Sequence, residues 1–182
     1  NRHGETVLHC AADSNEIECI KTVLSHYPES ERLRAVRMID DDGWTALHCA
    51  AQTGNIEAIQ TILAVYPDDE SLEALNMESL SGETVLHCAI DSKNIECIKA
   101  VLSLLTEAQR LETVNLKDHR GRTVLHYTNK TIRNSIKDWL SRSKSSALKR
   151  SHRSTLETTE EVDVQQPKLK RQRRPLDGSS KL

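Results

Sequence analysis

The chain contains no phenylalanine, and aromatic residues make up 3% of it. A hydrophobic core must therefore be built from Leu, Ile, Val, Ala and Cys. No apolar run approaches the roughly 18 residues that a membrane span requires, so we predict no transmembrane segment.

The five cysteines are an odd number and recur at two positions of a repeat, Cys10/Cys49/Cys88 and Cys19/Cys97. This pattern argues against a disulfide framework and predicts a reducing, intracellular compartment. Three of the cysteines follow a histidine, but adjacent helical residues point about 100° apart and chelate one metal poorly. We predict small buried cysteines, with no metal site and no cofactor.

Four glycines, at positions 4, 43, 82 and 121, recur with a constant 39-residue period, and each stands two places before Thr-Val/Ala-Leu-His. A constant period of this size indicates a solenoid, because one unit cannot bury its apolar face alone and must stack on the next. We predict an all-α solenoid of four units: 1–39, 40–78, 79–117 and a terminal cap over 118–140. A tail over 141–182, rich in Ser, Lys, Arg and Gln, should be disordered.

Each unit reads as two helices and a short third segment. The motif threonine can cap the first helix, and a break at Asn15, Gly54 and Lys93 predicts a left-handed residue before the second helix. The second helix has an apolar stripe at helical spacing and should end at Pro28 and Pro67. A short third helical turn should face its apolar side inward through Leu33/Val36, Leu72/Leu75 and Leu111/Val114.

The fourth unit departs from this pattern. Its left-handed position would fall on Ile132, which is β-branched and unsuited to it. Ile132, Ile136, Trp139 and Leu140 still form a helical stripe, which predicts a capping helix. Its charged residues, Arg133, Lys137 and Asp138, should face outward.

The glycine, the Thr-x-Leu-His and the following helices resemble the ankyrin repeat, whose unit is about 33 residues with a Thr-Pro-Leu-His signature. The resemblance covers residues 1–140, although Val or Ala replaces the proline and the unit is longer. The longer unit is similar to arrays in secreted effectors of intracellular bacteria. In the family, the motif histidine ties neighbouring turns together, so His9, His48, His87 and His126 are expected to be structural.

The resemblance implies a protein partner bound through the turn tips and the exposed face of the first helix. These positions differ between units while the scaffold positions do not. Carried over by repeat position, the candidate residues are Arg2, His3, Glu5, Asp13, Ser14, Asp41, Asp42, Trp44, Gln52, Thr53, Leu80, Ser81, Glu83, Asp91, Ser92, His119, Arg120 and Arg122.

Trp44 takes the position of Glu5, Glu83 and Arg122, which predicts a solvent-facing residue. It is either a binding anchor or a side chain folded onto its neighbouring turn. The acidic tip Asp40-Asp41-Asp42 either suits a basic partner or is a solvated turn. It disfavours nucleic acid binding by the array, because phosphates would be repelled.

The charges are unevenly divided. Positions 1–140 hold 14 Lys and Arg against 22 Asp and Glu, whereas positions 141–182 hold 11 against 5. The basic cluster of Lys168, Lys170, Arg171, Arg173 and Arg174 predicts a nuclear localisation signal, with contact to nucleic acid or an anionic membrane as the alternative. Ser180-Lys181-Leu182 is a peroxisomal address if it is the true terminus, and cytoplasm is the remaining possibility.

These observations predict a non-enzymatic interaction module that is monomeric and binds a partner protein, in the setting of a bacterial effector on a host protein or of a nuclear adaptor. A phosphate-binding glycine loop, a His-Glu-x-x-His motif and a nucleophile outside the repeat positions are all lacking. The alternative is the targeting segment of a larger enzyme whose catalytic part lies upstream. Since the first residue is Asn and lies inside a repeat, a fragment with further repeats upstream is expected.

Overall fold

The computed structural model describes residues 3–141, all of which belong to one compact unit. Its elements are helices, so the predicted all-α class is confirmed. They are α1 Val7–Asp13, α2 Ile17–His26, α3 Glu29–Val36, α4 Ala46–Thr53, α5 Ile56–Leu63, α6 Ser71–Asn76, α7 Val85–Asp91, α8 Ile95–Ser103, α9 Glu107–Asn115, a 3-10 turn Val124–His126, and α10 over residues 130–141.

Each motif threonine lies at the predicted cap. Thr6, Thr45 and Thr84 have extended backbones and precede α1, α4 and α7. The residues at the predicted breaks are left-handed: φ is 60° at Asn15, 73° at Gly54 and 58° at Lys93. The break therefore separates two helices in each of the first three units, as its sequence indicates.

The helices pack in rows that follow the repeat. The first helices α1, α4 and α7 contact one another in succession, and the second helices α2, α5 and α8 do the same. Leu47, Ile59, Leu86 and Ile98 are almost completely buried between them. The aliphatic core expected from the lack of phenylalanine is what the structure shows.

The third segment is longer than the predicted turn. It forms the helices α3, α6 and α9, and α3 starts directly after Pro28, which caps it. The buried pair in α3 is Ala35 and Val36, whereas Leu33 is half-buried. Leu111, which was expected to face inward, is 41% exposed. The second member of each predicted pair, Val36, Leu75 and Val114, is buried as predicted, whereas the first member is half-buried or exposed.

The fourth unit replaces its first helix with the short 3-10 turn and ends with α10. Ile132 and Ile136 are buried, and Trp139 and Leu140 pack against the core. The Arg110 guanidinium lies 4.9 Å from the centre of the Trp139 ring, which joins α9 to α10. Arg133, expected to face outward, is half-buried because its guanidinium donates to the carbonyls of Leu125 and Thr128.

Candidate interaction surface at the turn tips

The turn tips at residues 40–44, 79–83 and 118–122 are each stabilised by hydrogen bonds to the polar side chain of their first residue. Asp40 Oδ1 accepts the backbone N–H groups of Asp42 and Trp44 at 3.0 and 2.8 Å. Asp118 Oδ1 accepts those of Arg120 and Arg122 at 2.9 and 2.7 Å. The Asp40 side chain is therefore hydrogen-bonded within its own turn. Sequence reasoning did not single out this role, although a short polar residue recurs at positions 40, 79 and 118.

The third tip follows the same plan with a serine. Ser79 Oγ accepts the N–H groups of Ser81 and Glu83 at 3.3 and 3.2 Å. In all three tips the backbone closes identically: the N–H of the first residue donates to the carbonyl of the fifth, for example Asp40 to Trp44 at 2.9 Å. The turn is thus a fixed frame on which the second and third residues vary.

Backbone hydrogen bonds join each tip to the next. The N–H of Asp41 donates to the carbonyl of His3 at 3.0 Å, that of Leu80 to Asp42 at 2.9 Å, and that of His119 to Ser81 at 3.0 Å. A glycine is needed at this contact, since a Cβ on Gly43 would lie 2.8 Å from the Leu80 nitrogen, and φ there is 78°. The tips therefore form one continuous ladder.

Two of the motif histidines, His9 and His48, connect the first helix of their unit to a backbone carbonyl further along the chain. His9 Nδ1 accepts the Thr6 N–H at 3.2 Å, so Nε2 carries the proton and donates to the Trp44 carbonyl at 2.8 Å. His48 repeats the arrangement with Thr45 and donates instead to the Met77 carbonyl at 3.1 Å. These bonds between turns are the structural use that the resemblance implied.

Burial keeps two of these histidines neutral. It lowers the pKa of His48 and of His87 below 6.5. His87 accepts the Thr84 N–H at 3.2 Å, but its buried Nε2 has no hydrogen-bond partner among residues 3–141. Its ring instead meets the edge of Tyr127 at 5.6 Å. His126, in the shorter fourth unit, is exposed.

Seven of the predicted binding residues lie exposed on the tips. They belong to the second and third position of each turn, and they are His3, Asp41, Asp42, Leu80, Ser81, His119 and Arg120. Leu80 is the most exposed large apolar side chain among them, at 69%. The tip surface thus presents carboxylates at one turn, an apolar side chain at the next and basic groups at the last.

Of the two alternatives for Trp44, the structure fits the second, a side chain folded onto the protein, and not a fully solvent-facing residue. Its side chain is half-buried and packs against the core, with its ring 6.0 Å from that of His48. Glu5, Glu83 and Arg122 at the same position are also half-buried.

Arg122 is likewise engaged within the protein. Its Nε donates to Asp118 Oδ2 at 2.9 Å, and its guanidinium lies 4.4 Å from the centre of the Tyr127 ring. The Tyr127 hydroxyl donates to Asp118 Oδ2 and lies 3.2 Å from Glu83 Oε1. Burial alone would raise the pKa of Asp118. The hydrogen bonds from Tyr127 and Arg122 have the opposite and larger effect, and they hold the pKa well below its usual range. These four residues therefore stabilise the last tip.

Some of the predicted first-helix residues are hydrogen-bonded within the ends of their own helices. Ser14, Thr53 and Ser92 donate their hydroxyls to carbonyls one turn back, at 2.8, 3.0 and 2.6 Å. Asp13, Gln52 and Asp91 are exposed beside them. Arg2 lies outside the described residues, as do the basic cluster and Ser180-Lys181-Leu182 of the tail.

None of the five cysteines forms a disulfide bond, and no group of three or more His, Cys, Asp or Glu within residues 3–141 is arranged to hold a metal ion. Burial raises the pKa of Cys49 to about 12 and that of Cys97 to about 11, so both remain neutral thiols. Cys10 and Cys19 depart from the expectation of burial, because both are exposed. No helix of the described region is both long enough and apolar enough to cross a bilayer.

Residues 1–71 match the family model described as ankyrin repeats in three copies. No curated protein matches the chain. The paired helices of the later units continue the architecture of the matched segment, and the all-α array is consistent with ankyrin repeats. Such repeats are typically non-catalytic and imply a protein–protein interaction module.

Proposed function

We propose, from the match of residues 1–71 to the ankyrin repeat family, that the chain binds a partner protein along its turn tips. The observation that carries the proposal is the contrast within the ladder. The backbone bonds of the tips repeat from unit to unit, whereas the exposed side chains change from Asp41 and Asp42 to Leu80 and then to Arg120. A constant frame with variable exposed residues suits recognition of one particular surface.

The frame supports binding because it is already ordered. The tips at 40–44, 79–83 and 118–122 are each closed by their own backbone bond and joined to the preceding tip by another, and His9 donates to the Trp44 carbonyl of the first of these three. A partner that docks on the tips therefore does not have to order them, and little conformational entropy is lost on binding. Leu80 offers an exposed apolar side chain that a partner pocket can bury.

The charges indicate what the partner presents. Asp41 and Asp42 are exposed and adjacent, so the partner segment over this tip is proposed to be basic. Arg120 lies at the other end of the ladder and suits an acidic group. The acidic balance of residues 1–140 disfavours a phosphate backbone as the ligand. We propose that the whole array, 1–140, acts as a monomer in this role.

An affinity capture tests the tip surface. The full chain is immobilised and compared with a variant that carries Asp41→Asn, Asp42→Asn and Leu80→Ser. Trp44 is left intact, because it packs on the core and its loss would disturb the fold. The matched control carries Glu107→Gln and Glu112→Gln, two exposed carboxylates on α9, and therefore loses the same charge away from the tips.

Proteins captured from a eukaryotic lysate are identified by mass spectrometry, after circular dichroism shows that all three chains fold. The proposal expects a partner that the wild type and the α9 control retain and the tip variant loses. Retention by the tip variant, or capture by residues 141–182 alone, would place binding elsewhere.

We further propose an effector setting, in which the array acts on a host protein and the basic cluster directs the chain to the nucleus. The 39-residue unit and the residues Lys168, Lys170, Arg171, Arg173 and Arg174 support this proposal. A fluorescent fusion in eukaryotic cells tests the targeting part. Replacing the five basic residues with alanine should abolish nuclear accumulation, and unchanged accumulation would refute it.

A further inference from the structure

One side of the third helix faces solvent in each of the first three units. Ser30 and Arg34 on α3 are exposed. The residues at the same two repeat positions of the second and third units are exposed as well, and they are Asp69, Glu73, Ala108 and Glu112. Since the second and third units each have a preceding unit, this exposure belongs to the helix and not to the place of the unit in the array.

A depression of about 440 Å³ lies on this side of α3. It is lined by Ser30, Leu33, Arg34, Arg37 and Met38. Leu33 is half-buried, and Met38 is 44% exposed. The volume falls within the roughly 300–1,000 Å³ of ligand sites, and a flexible methionine adapts to apolar groups of different shape. The depression therefore combines apolar side chains with two arginines.

The three arginines on or directly after α3 differ in their partners. Arg32 Nε donates to two backbone carbonyls at 3.1 and 3.2 Å. Arg37 forms an ion pair with Glu70 of the next unit, so its charge is balanced. The side chain of Arg34 is exposed and forms no hydrogen bond or ion pair with residues 3–141. Arg34 thus presents an uncompensated guanidinium beside the depression.

The charge at this repeat position changes sign between units. Arg34 has Glu73 and Glu112 as its counterparts, in an array that is acidic as a whole. The structure gives Arg34 no contact that requires a positive charge. A guanidinium next to apolar side chains is well suited to bind a carboxylate through two parallel hydrogen bonds.

We propose that the depression on α3 binds an acidic segment of a partner protein. One apolar side chain of the segment packs against Leu33 and Met38, and a neighbouring carboxylate pairs with Arg34. The site selects the opposite charge from the tip at Asp41 and Asp42. It does not depend on the proposed binding at the tips.

The surrounding charges favour a short acidic segment over an extended polyanion. Asp68, Asp69 and Glu73 are exposed on the next unit, which adjoins α3 through the pair of Arg37 and Glu70. These carboxylates would repel a phosphate backbone or an anionic membrane that extended beyond Arg34. A single carboxylate on a peptide avoids this repulsion.

The first test selects ligands from a library of random peptides displayed on phage. The full chain is immobilised, and phage that bind an Arg34→Glu chain are removed beforehand. We expect the retained peptides to carry Asp or Glu close to a large apolar residue. A selection that yields no peptide, or peptides without an acidic residue, would overturn the proposal.

The second test measures the affinity of one selected peptide by fluorescence polarisation. Arg34→Glu introduces the residue that the second and third units carry, and it should weaken binding by at least about tenfold. Met38→Ser should weaken it by about threefold or more, because apolar contact is lost. The matched control, Arg120→Glu, reverses the same charge on an exposed residue of the last tip and should leave the affinity unchanged. Circular dichroism verifies that all chains fold.

A change in the peptide provides a further measurement on the unaltered protein. Replacing its acidic residue with the corresponding amide should also weaken binding by at least about tenfold. Equal affinities for the wild type and Arg34→Glu would overturn the proposal. A loss confined to Arg120→Glu would overturn it too, because the peptide would then bind the tips, and the proposed function would stand without this site.

Discussion

The imidazole of His9 connects one turn of the array to the next, with its Nε2 2.8 Å from the carbonyl oxygen of Trp44. On the other side of the ring, Nδ1 accepts the N–H of Thr6, the residue that caps α1. One side chain thus contacts both the start of its own helix and the following tip. The tip surface depends on such bonds for its order.

Replacing His9 with alanine should destabilise the protein by about 1–3 kcal/mol, because both the Thr6 N–H and the Trp44 carbonyl lose a partner. Urea unfolding followed by circular dichroism measures the change. His126→Ala is the matched control, since His126 is exposed and bonds to Thr123 in the same way. A loss of stability as large in the control would mean that the bond between turns contributes little.

Stability should fall on mild acidification. Burial lowers the pKa of His48 and His87 below 6.5, whereas both titrate near 6.5 in the unfolded chain. As the pH falls through about 6.5, the unfolded state gains protons that the folded state resists, so its free energy drops relative to the folded state. Stability is therefore fully present above this pH and declines below it.

Thermal unfolding at pH 7.5, 6.5 and 5.5 measures the decline, in a range where ordinary carboxylates stay ionised. The double variant His48→Gln and His87→Gln should be less stable at pH 7.5 and show a smaller pH dependence. An unfolding temperature that is constant over this range in the wild type would contradict the assignment of neutral, buried imidazoles.

Leu47→Ala should cost about 2–5 kcal/mol, because the side chain is 0% exposed and its removal leaves a cavity between α1, α4 and α7. Leu80→Ala removes the same atoms from a side chain that is 69% exposed and should change stability by about 0.5 kcal/mol or less. Chemical denaturation of both variants gives the comparison. Similar losses would mean that Leu80 is packed and does not project from the tip.

Asp118→Ala should open the last tip locally. The carboxylate accepts the N–H groups of Arg120 and Arg122 and the Arg122 guanidinium, so exchange of these two amides should quicken by about tenfold or more. Hydrogen exchange with mass spectrometry detects this, and Asp138→Ala on α10 serves as the control. Unchanged exchange at the tip would show that the backbone bonds alone hold it closed.

Most of the architecture could be predicted from the sequence because the repeat supplies internal comparisons. Thr6, Thr45 and Thr84 cap the first helices, and Asn15, Gly54 and Lys93 are left-handed. These features depend on the backbone preferences of individual residues, which can be predicted from a single sequence.

The features that escaped prediction depend on contacts between segments. Trp44 was expected in solvent because its counterparts are charged, yet the position is half-buried in every unit. Leu111 is 41% exposed, whereas Val114 on the same helix is buried, a difference that the sequence spacing does not show. Cys10 and Cys19 match buried cysteines in sequence but are exposed, because burial of Cys49, Cys88 and Cys97 depends on packing against the preceding unit.

The central claim, that the tips bind a protein, is tested most directly by the affinity of one captured partner. Its dissociation constant is measured by surface plasmon resonance for the wild type, the tip variant and the α9 control. We predict a loss of at least about tenfold in the tip variant, corresponding to about 1.4 kcal/mol, with the control unchanged. Equal affinities for all three chains would contradict the claim.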